Sequence, residues 1–284
     1  MKPRALIVGA AGQLGAAMAA RLAEQHDVIA VGRRDLDVTD GASVTSLVSK
    51  LRPAAIVNCS AYTNVDGAET EPTLAFAVNA MAVRWLARAA DSVGATLVHY
   101  STDFVFDGVA DSPYTEDDAP NPKGAYAMSK LLGEWFAAEA SRHYVLRVES
   151  LFGGPLARSS VDKMLANIRA GLLVNAFADR SVSPSFVDDV TRASEALVTR
   201  QAPYGLYHCV NTGWTTWLGV AQELARLAGQ EAAPIAAVRM ADVKLKAQRP
   251  LFAAMSNDKL RRTGIDMPTW QDALARYVSS TAAD

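Results

Sequence analysis

A tyrosine and a lysine four residues apart, Tyr126 and Lys130, have the types and spacing that suit proton transfer. On a helix, residues four apart lie on one face. An ammonium group beside a phenol favours the phenolate and lowers a phenol pKa that is ordinarily about 10. The pair could then act as a general acid or base at an alcohol oxygen, with the Thr102 hydroxyl holding that oxygen. A helix whose tyrosine and lysine only face solvent is the alternative interpretation.

A glycine-rich turn near the N-terminus could hold a phosphate. The apolar run Ala5–Val8 predicts a buried strand, and an alanine-rich helical pattern extends from the turn to about Ala23. Glycine permits a tight turn and lets the backbone approach a pyrophosphate at a helix N-terminus. The spacing is G-x-x-G-x-x-G rather than the commoner G-x-G-x-x-G, and a merely flexible turn is the alternative. The residues predicted to contact a dinucleotide here are Gly9, Gly12, Gln13, Leu14 and Gly15.

The composition indicates an ordinary globular enzyme. Of the 284 residues, 50% are hydrophobic and 20% are charged, which allows a sizeable core. The net charge of −2 gives no general attraction to nucleic acid or to an anionic membrane. Cys59 and Cys209 are far apart and not in a metal-ligand spacing, so we expect free thiols in a reducing cytoplasm. The N-terminus leads directly into a predicted strand, with no signal-peptide pattern. We therefore expect a cytoplasmic protein with no bound metal.

Apolar runs rich in β-formers alternate with helical patterns over the first half of the chain. This alternation predicts an α/β fold, a Rossmann doubly wound parallel sheet with a smaller C-terminal α/β substrate lobe. We expect residues 1–150 to form the dinucleotide-binding domain, with part of 180–210 returning to it, and 151–284 to form mainly the lobe. The predicted strands are Ala5–Val8, Val28–Val31, Ala55–Val57, Thr96–Tyr100 and Tyr144–Val148.

Polar or glycine-rich segments directly follow four of these strands. Ligands of doubly wound sheets bind beyond the carboxyl ends of the strands, so these segments should converge on one crevice. They are Gly9–Gly15, Asn58–Thr63, Ser101–Asp103 and Glu149–Gly154. From the second segment we assign Ser60, Ala61 and Tyr62 to the cofactor site.

Several longer motifs occur together along the chain. They are Leu36-Asp37-Val38-Thr39-Asp40, Val57-Asn58-Cys59-Ser60-Ala61-Tyr62-Thr63-Asn64-Val65-Asp66, Val78-Asn79-Ala80, Ser101-Thr102-Asp103-Phe104-Val105-Phe106-Asp107-Gly108, Tyr126-Ala127-Met128-Ser129-Lys130 and Gly205-Leu206-Tyr207-His208. With these motifs the chain resembles the extended short-chain dehydrogenase/reductase superfamily and, within it, the dTDP-4-dehydrorhamnose reductase family. The resemblance covers most of the sequence.

The resemblance implies hydride transfer from a nicotinamide cofactor to a sugar ketone. Tyr126 would donate the proton to the developing alkoxide. Lys130 would lower the pKa of that tyrosine and hold the nicotinamide ribose, and Thr102 would hydrogen-bond the carbonyl oxygen. Asn79 resembles an asparagine that the superfamily keeps near the active site, although a polar residue satisfied locally at a helix start is the alternative.

Cofactor choice should be set just after the second predicted strand. An acidic residue there would bind the ribose 2′-hydroxyl of NAD, whereas an arginine can accommodate the 2′-phosphate of NADP. Arg33 therefore favours NADPH over NADH, although an arginine in a surface turn is often only solvated charge. The resemblance places Asp37 and Val38 beside the adenine.

Some positions bear on the reaction and the substrate. Sugar-nucleotide dehydratases carry Thr-Asp-Glu where this chain has Phe104 as the third residue, so the pattern favours a simple reductase. Asp103 would then contact a substrate hydroxyl, or else cap a nearby turn.

After the fifth strand the family has Arg-Thr-Ser-Trp, whereas this chain reads Arg147-Val148-Glu149-Ser150. Glu149 could contact substrate, or pair with Arg147 or Arg180. Arg180 and Arg249 are assigned to the substrate site, Arg249 at a diphosphate. The family pattern after this arginine is Arg-Pro-x-Asn-Ser, and here Phe252 and Ala253 stand where the polar Asn-Ser pair is expected.

Three functions fit these observations. The first hypothesis is an NADPH-dependent reductase of a nucleotide-linked 4-keto sugar. The alternatives are a cofactor-binding regulatory subunit with the same fold, since fold does not guarantee catalysis, and a sugar-nucleotide epimerase. In each case the expected partner is a small sugar nucleotide, with neither nucleic acid nor membrane, and a homodimer is possible.

Overall fold

A six-stranded parallel sheet forms the centre of the larger part of the molecule. The computed structural model describes residues 2–156 and 158–281. The strands are β1 (Arg4–Val8), β2 (Asp27–Val31), β3 (Ala55–Asn58), β4 (Thr96–Thr102), β5 (His143–Val148), β6 (Leu151–Phe152), β7 (Val174–Phe177), β8 (Ser181–Val182), β9 (Ser185–Phe186), β10 (Gly205–His208), β11 (Thr215–Thr216) and β12 (Ile235–Val238). In the large sheet the order is β10-β5-β4-β3-β1-β2, and every neighbouring pair is parallel. The predicted parallel sheet is confirmed.

The strand order reverses beside β1, where β2 lies on one side and β3 on the other. In doubly wound sheets such a switch point opens a crevice at the carboxyl ends of the strands. Side chains of β1 alternate between two cores, because successive residues of a strand point to opposite faces. Ala5 and Ile7 pack into the first core, and Leu6 and Val8 into the second. Both faces of the sheet are therefore buried.

Helices cover both faces of the sheet. In chain order the helices of the described residues, those of the lobe included, are α1 (Gln13–Leu22), α2 (Gly41–Leu51), α3 (Val65–Ala68), α4 (Pro72–Phe76), α5 (Ala82–Val93), α6 (Ala125–Ala137), α7 (Ser160–Arg169), α8 (Val187–Thr199), α9 (Trp217–Leu227), α10 (Asp258–Arg262) and α11 (Trp270–Ser280). Helices α1 and α8 pack on the first core, whereas α2 and α5 pack on the second. A π-helical turn, Ala77–Met81, joins α4 to α5.

The smaller lobe has a core of its own. Helices α7, α9 and α11 surround buried side chains that include Phe152, Val182 and Trp217. Short strand pairs complete the lobe, with β12 parallel to β7, β11 antiparallel to β8 and β6 parallel to β9. These pairs join segments that are distant in sequence, so the lobe depends on long-range contacts.

The chain passes between the lobe and the large sheet more than once. Strand β10 pairs with β5, and α8 packs against α1, as we expect if part of 180–210 returns to the larger unit. Leu260, Ile265 and Met267 also pack into the first core, which the sequence did not indicate. The boundary at residue 150 stays a prediction.

No helix in 2–156 or 158–281 is both long and apolar enough to cross a membrane. Over the same residues, no three His, Cys, Asp or Glu side chains are grouped so that they could hold a metal ion.

Candidate active site

The glycine-rich turn between β1 and α1 approaches the loop after β3 very closely. Gly9 has φ +80°, and a Cβ on it would lie 2.6 Å from the Ser60 backbone nitrogen. A Cβ on Gly15 would lie 2.3 Å from the Gly9 carbonyl oxygen. Only glycine fits either position without a shift of the backbone. Helix α1 begins without a side-chain cap on Gly12, so its first N–H groups stay available for an anion.

Two predicted cofactor residues have other contacts in this turn. The Gln13 amide donates a 2.7 Å hydrogen bond to the Gly153 carbonyl oxygen, which links the turn to the segment after β6. The Leu14 side chain is buried in the first core. Leu14 can therefore meet a ligand only through its backbone, which corrects the side-chain contact that its assignment suggests.

A cavity of about 400 Å³ opens beside the glycine turn. Its volume lies within the range of ligand pockets, roughly 300–1,000 Å³. It extends from β1 across the ends of β2 and β3, the place expected for a ligand of this sheet. The predicted cofactor residues that line it are Gly9, Gly12, Arg33, Asp37, Val38, Ser60, Ala61 and Tyr62. Residues that line it without having been predicted include Leu36, Thr39, Leu74 and Val78.

Cys59 also lines this cavity, whereas Cys209 is fully buried after β10. Both are free thiols. Burial raises the pKa of the Cys59 thiol, with Lys130 opposing the shift. Burial likewise raises the pKa of Cys209 to about 12. Both sulfurs are thus protonated at neutral pH and are poor nucleophiles.

The turn after β2 presents Arg33 at the edge of the cavity. Asp35 accepts a 2.8 Å hydrogen bond from the Gly32 backbone N–H, so it serves to close the turn. Asp37 accepts hydrogen bonds from the Thr39 N–H and hydroxyl, and these bonds hold the pKa of its carboxyl below the ordinary value. Within the described ranges the exposed Arg33 side chain has no hydrogen bond or salt bridge. It is therefore available for an anionic ligand.

Helix α6 presents Tyr126 and Lys130 one turn apart, as the spacing predicted. The helix starts where Glu69 accepts a 2.8 Å hydrogen bond from the Ala125 N–H. Lys130 is buried, and its Nζ donates a 2.5 Å hydrogen bond to the Tyr100 carbonyl oxygen of β4. Tyr126 is half-buried, and its ring meets the Phe104 ring edge-on at 5.5 Å between centroids. The alternative of a solvent-facing pair is excluded by this burial.

The pKa of the Tyr126 phenol is shifted in the direction opposite to the prediction. Burial raises the pKa of the Tyr126 phenol above its ordinary value, Asp103 raises it further, and a hydrogen bond with Thr102 opposes both. Burial lowers the pKa of Lys130 to about 8, against the opposing effects of Glu134 and Cys59. The prediction that Lys130 depresses the phenol pKa is wrong for this state, because burial raises that pKa and Lys130 is not among the groups that act on it. Tyr126 is a neutral acid at pH 7.

Thr102 ends β4, and its hydroxyl donates a 2.8 Å hydrogen bond to Asp103 Oδ1. The other oxygen, Asp103 Oδ2, lies 3.8 Å from Arg180 Nη2. The Arg180 guanidinium also lies over the Phe104 ring, 5.4 Å from the centroid. These side chains border the Tyr126 phenol on its β4 side. The structure thus brings together Thr102, Asp103, Arg180 and Tyr126.

Glu149 lies beside this group but is not open to it. Its Oε2 accepts a 2.7 Å hydrogen bond from the Ser183 N–H, and only 1% of the residue is exposed. It does not pair with Arg147, which binds Glu134 instead. Direct contact between Glu149 and a substrate is therefore not available in this conformation, which corrects that part of the prediction.

Arg249 already has a partner. It forms a two-point ion pair with Asp66, with Nη1–Oδ1 and Nη2–Oδ2 distances of 2.7 and 2.8 Å. The Asp66 carboxylate also accepts the backbone N–H groups of Lys246 and Ala247, and these contacts hold the pKa of Asp66 well below its usual range. Arg249 thus fastens the segment that precedes Phe252 to α3 through its ion pair with Asp66, and its role at a diphosphate stays a prediction.

Asn79 connects two parts of the site from a fully buried position in the π-helical turn. Its Oδ1 accepts from the Tyr62 N–H at 2.8 Å, and its Nδ2 donates to the Tyr62 carbonyl and the Ser129 hydroxyl. A Cβ on Gly133 would lie 2.2 Å from the Asn79 carbonyl oxygen, so α6 packs directly on this turn. Asn79 therefore positions the Tyr62 loop and α6, rather than lying open to a cofactor as predicted.

A buried ionic network below α6 was missed. Glu134 accepts two hydrogen bonds from Arg147, at 2.8 and 2.7 Å, and a third from the Ser101 hydroxyl. Glu134 lies one turn after Lys130 and would have been found by extending the α6 face by four residues. Its partners come from β4 and β5, so the network fixes α6 against the sheet.

Comparisons with known proteins agree with this geometry. Residues 3–283 match the family model described as the RmlD substrate binding domain. A dTDP-4-dehydrorhamnose reductase of Streptomyces griseus is 36% identical over 96% of this chain and 92% of its own length. A crystal structure of dTDP-4-dehydrorhamnose reductase from Bacillus anthracis, in complex with NADP, has a TM-score of 0.94 and 33% identity, and the alignment covers 99% of this chain and 100% of that one. The chain therefore belongs to the dTDP-4-dehydrorhamnose reductase family.

Proposed function

We propose that this chain is an NADPH-dependent reductase of a nucleotide-linked 4-keto sugar. The observation that carries the proposal is the acid Tyr126, one helical turn from the buried Lys130, whose charge acts on Cys59 in the wall of the cavity. Relatives over nearly the whole chain are named as reductases of a dTDP-linked sugar, and the Bacillus anthracis relative binds NADP. Family membership and local chemistry thus support the same reaction.

The residues of the cavity fit a dinucleotide. Gly9, Gly12 and Gly15 leave space that a Cβ would fill, and the uncapped start of α1 offers N–H groups to a pyrophosphate. Arg33, with no partner of its own in the described ranges, would bind a ribose 2′-phosphate. Bound NADPH supplies the hydride.

The protein's own groups handle the proton. Because its pKa is raised, Tyr126 carries its proton at pH 7 and can donate it to the carbonyl oxygen as negative charge develops there. The Lys130 ammonium, fixed on the Tyr100 carbonyl, would stabilise the phenolate that remains. To donate to the substrate, the Thr102 hydroxyl must turn from Asp103. Removing one preorganised donor of this kind costs about 2.7–4 kcal/mol in other enzymes.

The substrate should occupy the space next to Tyr126 on the lobe side. We propose that Thr102, Asp103 and Arg180 contact the sugar, with Arg180 supplying positive charge toward the diphosphate. Arg249 would reach a diphosphate only by giving up part of its ion pair with Asp66. Glu149, which is buried behind these side chains, would not contact the sugar itself.

Turnover by the Tyr126→Phe variant tests the assignment. Purified protein is incubated with NADPH and a panel of nucleotide-linked 4-keto sugars, and NADPH oxidation is followed. We expect kcat to fall by about 100-fold or more in Tyr126→Phe, and to be unchanged in Tyr204→Phe, an exposed tyrosine that serves as control. Full activity of Tyr126→Phe would refute the assignment. Binding of NADPH without turnover of any sugar would favour the regulatory subunit, and sugar interconversion without net NADPH consumption would favour the epimerase.

Cofactor preference is tested with two neighbouring arginines. Arg33→Ala should weaken NADPH binding by about 10–100-fold, the effect of losing a hydrogen bond to a charged group, and leave NADH binding unchanged. Arg34→Ala is the matched control, because Arg34 is also exposed but does not line the cavity. Equal losses for both nucleotides in Arg33→Ala would show that Arg33 does not read the 2′-phosphate.

We further propose a cytoplasmic location and a homodimer. Both cysteines are free, as a reducing compartment requires. Trp135 on α6 is 63% exposed and Met128 on the same helix is 48% exposed, an amount of apolar surface that a second copy could cover. Light scattering on the purified protein measures the mass directly, and a mass of 30.2 kDa would exclude the dimer.

A further inference from the structure

Two carboxyl groups lie side by side beyond the carboxyl ends of β4 and β5. Thr102 and Val148 are register partners in these parallel strands. The next residue of each strand is acidic, Asp103 and Glu149, and neighbouring strands run about 4.8 Å apart. Only 3% of Asp103 and 1% of Glu149 is exposed. The register therefore holds two buried carboxyl groups next to each other.

The hydrogen bonds of these groups are incomplete. Asp103 Oδ1 accepts from Thr102, and Glu149 Oε2 accepts from the Ser183 N–H. Asp103 Oδ2 and Glu149 Oε1 are inaccessible to solvent, and no donor within the described ranges bonds to either. The nearest cation, Arg180, lies 3.8 Å from Asp103 Oδ2, which is too far for a hydrogen bond. One arginine thus faces two carboxyl groups.

We propose that Asp103 and Glu149 share one proton at neutral pH, and that Glu149 is thereby a positioning residue for Thr102 and Tyr126. The inference rests on the proposed reductase function for its catalytic consequence. A proton on one carboxyl group supplies the donor that both oxygens lack and removes one of two adjacent buried charges. The pair then holds a single negative charge, which Arg180 can balance.

The electrostatics of the surroundings agree with this arrangement. Burial raises the pKa of both carboxyl groups, and Arg180 opposes the shift in each. Asp103 raises the pKa of Glu149 further. Within the described residues, the charged or titratable groups that interact with the pair are Arg180, from the segment before β8, and Tyr126, from α6. Two titrating groups this close take up protons as a unit.

The shared proton fixes a chain of contacts that ends at the catalytic acid. Glu149, held on the Ser183 N–H, restrains Asp103 Oδ2, so that Asp103 Oδ1 stays on the Thr102 hydroxyl. Thr102 in turn acts on the Tyr126 phenol and lowers its pKa. Loss of the proton would place a second negative charge near the point where the alkoxide develops, and this charge would oppose hydride transfer.

Infrared spectroscopy tests the shared proton without any turnover. A protonated buried carboxylic acid has a C=O stretching band separate from those of carboxylates and amides. We expect this band in the wild-type protein at pH 7, its loss in Glu149→Gln, and its retention in Glu116→Gln. Glu116 is the matched control because it also accepts from a backbone N–H, at His208, but lies in another part of the molecule. A wild-type spectrum without the band, or a band that survives in Glu149→Gln, would overturn the proposal.

Turnover tests the positioning role. In Glu149→Gln the carboxamide can still accept from Ser183 and donate to Asp103, so we expect kcat to stay within about threefold of wild type. Glu149→Leu leaves Asp103 Oδ2 without a donor and should lower kcat by about 10–100-fold with the NADPH KM unchanged. Unchanged NADPH binding also shows that the leucine variant is folded. Equal kcat values for the leucine variant and wild type would overturn the role. If no variant, wild type included, turns over a sugar, the reductase function fails while the infrared result still decides the shared proton.

Discussion

The buried pair between Glu134 and Arg147 allows a quantitative test of what holds α6 in place. Its side chains are 7% and 2% exposed, and the carboxylate accepts two hydrogen bonds from the guanidinium and one from Ser101. In Glu134→Leu the buried Arg147 charge would lose its carboxylate partner. It would keep a 3.4 Å contact with His208 and its contact with the face of the Phe106 ring. Breaking a buried pair by removing one partner costs about 3–5 kcal/mol. That loss is a large part of a typical stability of about 5–15 kcal/mol.

Urea denaturation of matched variants measures this cost. Glu139→Leu is the control, since the Glu139 side chain is 34% exposed, pairs with Arg84 and the more exposed Arg88, and should contribute only about 0–1 kcal/mol. The double variant Glu134→Leu/Arg147→Met should recover most of the lost stability, because replacing both partners by apolar groups leaves no buried charge. Equal free energies of unfolding for the Glu134→Leu and Glu139→Leu variants would refute this reasoning.

The same carboxylate affects the pH dependence of turnover. Burial lowers the pKa of Lys130 to about 8, and Glu134 opposes that shift. The Lys130 ammonium is lost as pH rises through this value, so we expect activity to fall on the alkaline side near pH 8. In Glu134→Gln the opposing charge is gone, and the fall should begin at lower pH. An alkaline limb that stays in place in Glu134→Gln would show that the two groups are not coupled.

Two further predictions concern packing and acid stability. Gly133→Ala should destabilise the fold by about 1–3 kcal/mol and reduce turnover, because the new Cβ would meet the Asn79 carbonyl oxygen and displace α6. Urea titration measures the loss of stability, and NADPH oxidation measures the loss of turnover. A variant with wild-type values for both would contradict the close packing. Burial lowers the pKa of His208 to about 3, so the unfolded chain binds a proton there that the native protein does not, and stability from this group is lost as pH falls from about 6.5 toward 3. His208→Gln should show a shallower decline of stability than wild type over that window in denaturation curves taken at successive pH values, and parallel curves would exclude His208 as a source of the decline.

The sequence was sufficient for features that depend on local pattern. Strand, glycine turn and helix at the N-terminus follow from apolar runs and glycine spacing, and the predicted strands agree with β1 to β5 within two residues at each end. Because parallel strands share one direction, loops that follow them had to converge. For the same reason the sequence could place Thr102 and the glycine turn at one edge of the sheet.

Features that depend on distant partners could not be predicted. Asp66, which binds Arg249, lies 183 residues away, and no local pattern connects the two. The direction of the Tyr126 pKa shift depends on how deeply the phenol is buried, which only the packed structure determines. Asn79 was predicted near the cofactor, but its contacts with Tyr62 and Ser129 arise from a π-helical turn that composition does not indicate.

The two free thiols allow ligand binding and local unfolding of this protein to be followed by alkylation. Cys59 lines the cavity, so its alkylation, slow because burial raises the pKa of the thiol, should become slower still when a dinucleotide covers the sulfur. Cys209 is fully buried after the edge strand β10, and a reagent can reach it only when that edge of the sheet separates from β5. With no engineered label, one chain thus reports ligand occupancy at the centre of its sheet and local unfolding at the edge, two processes that differ in free energy and in timescale.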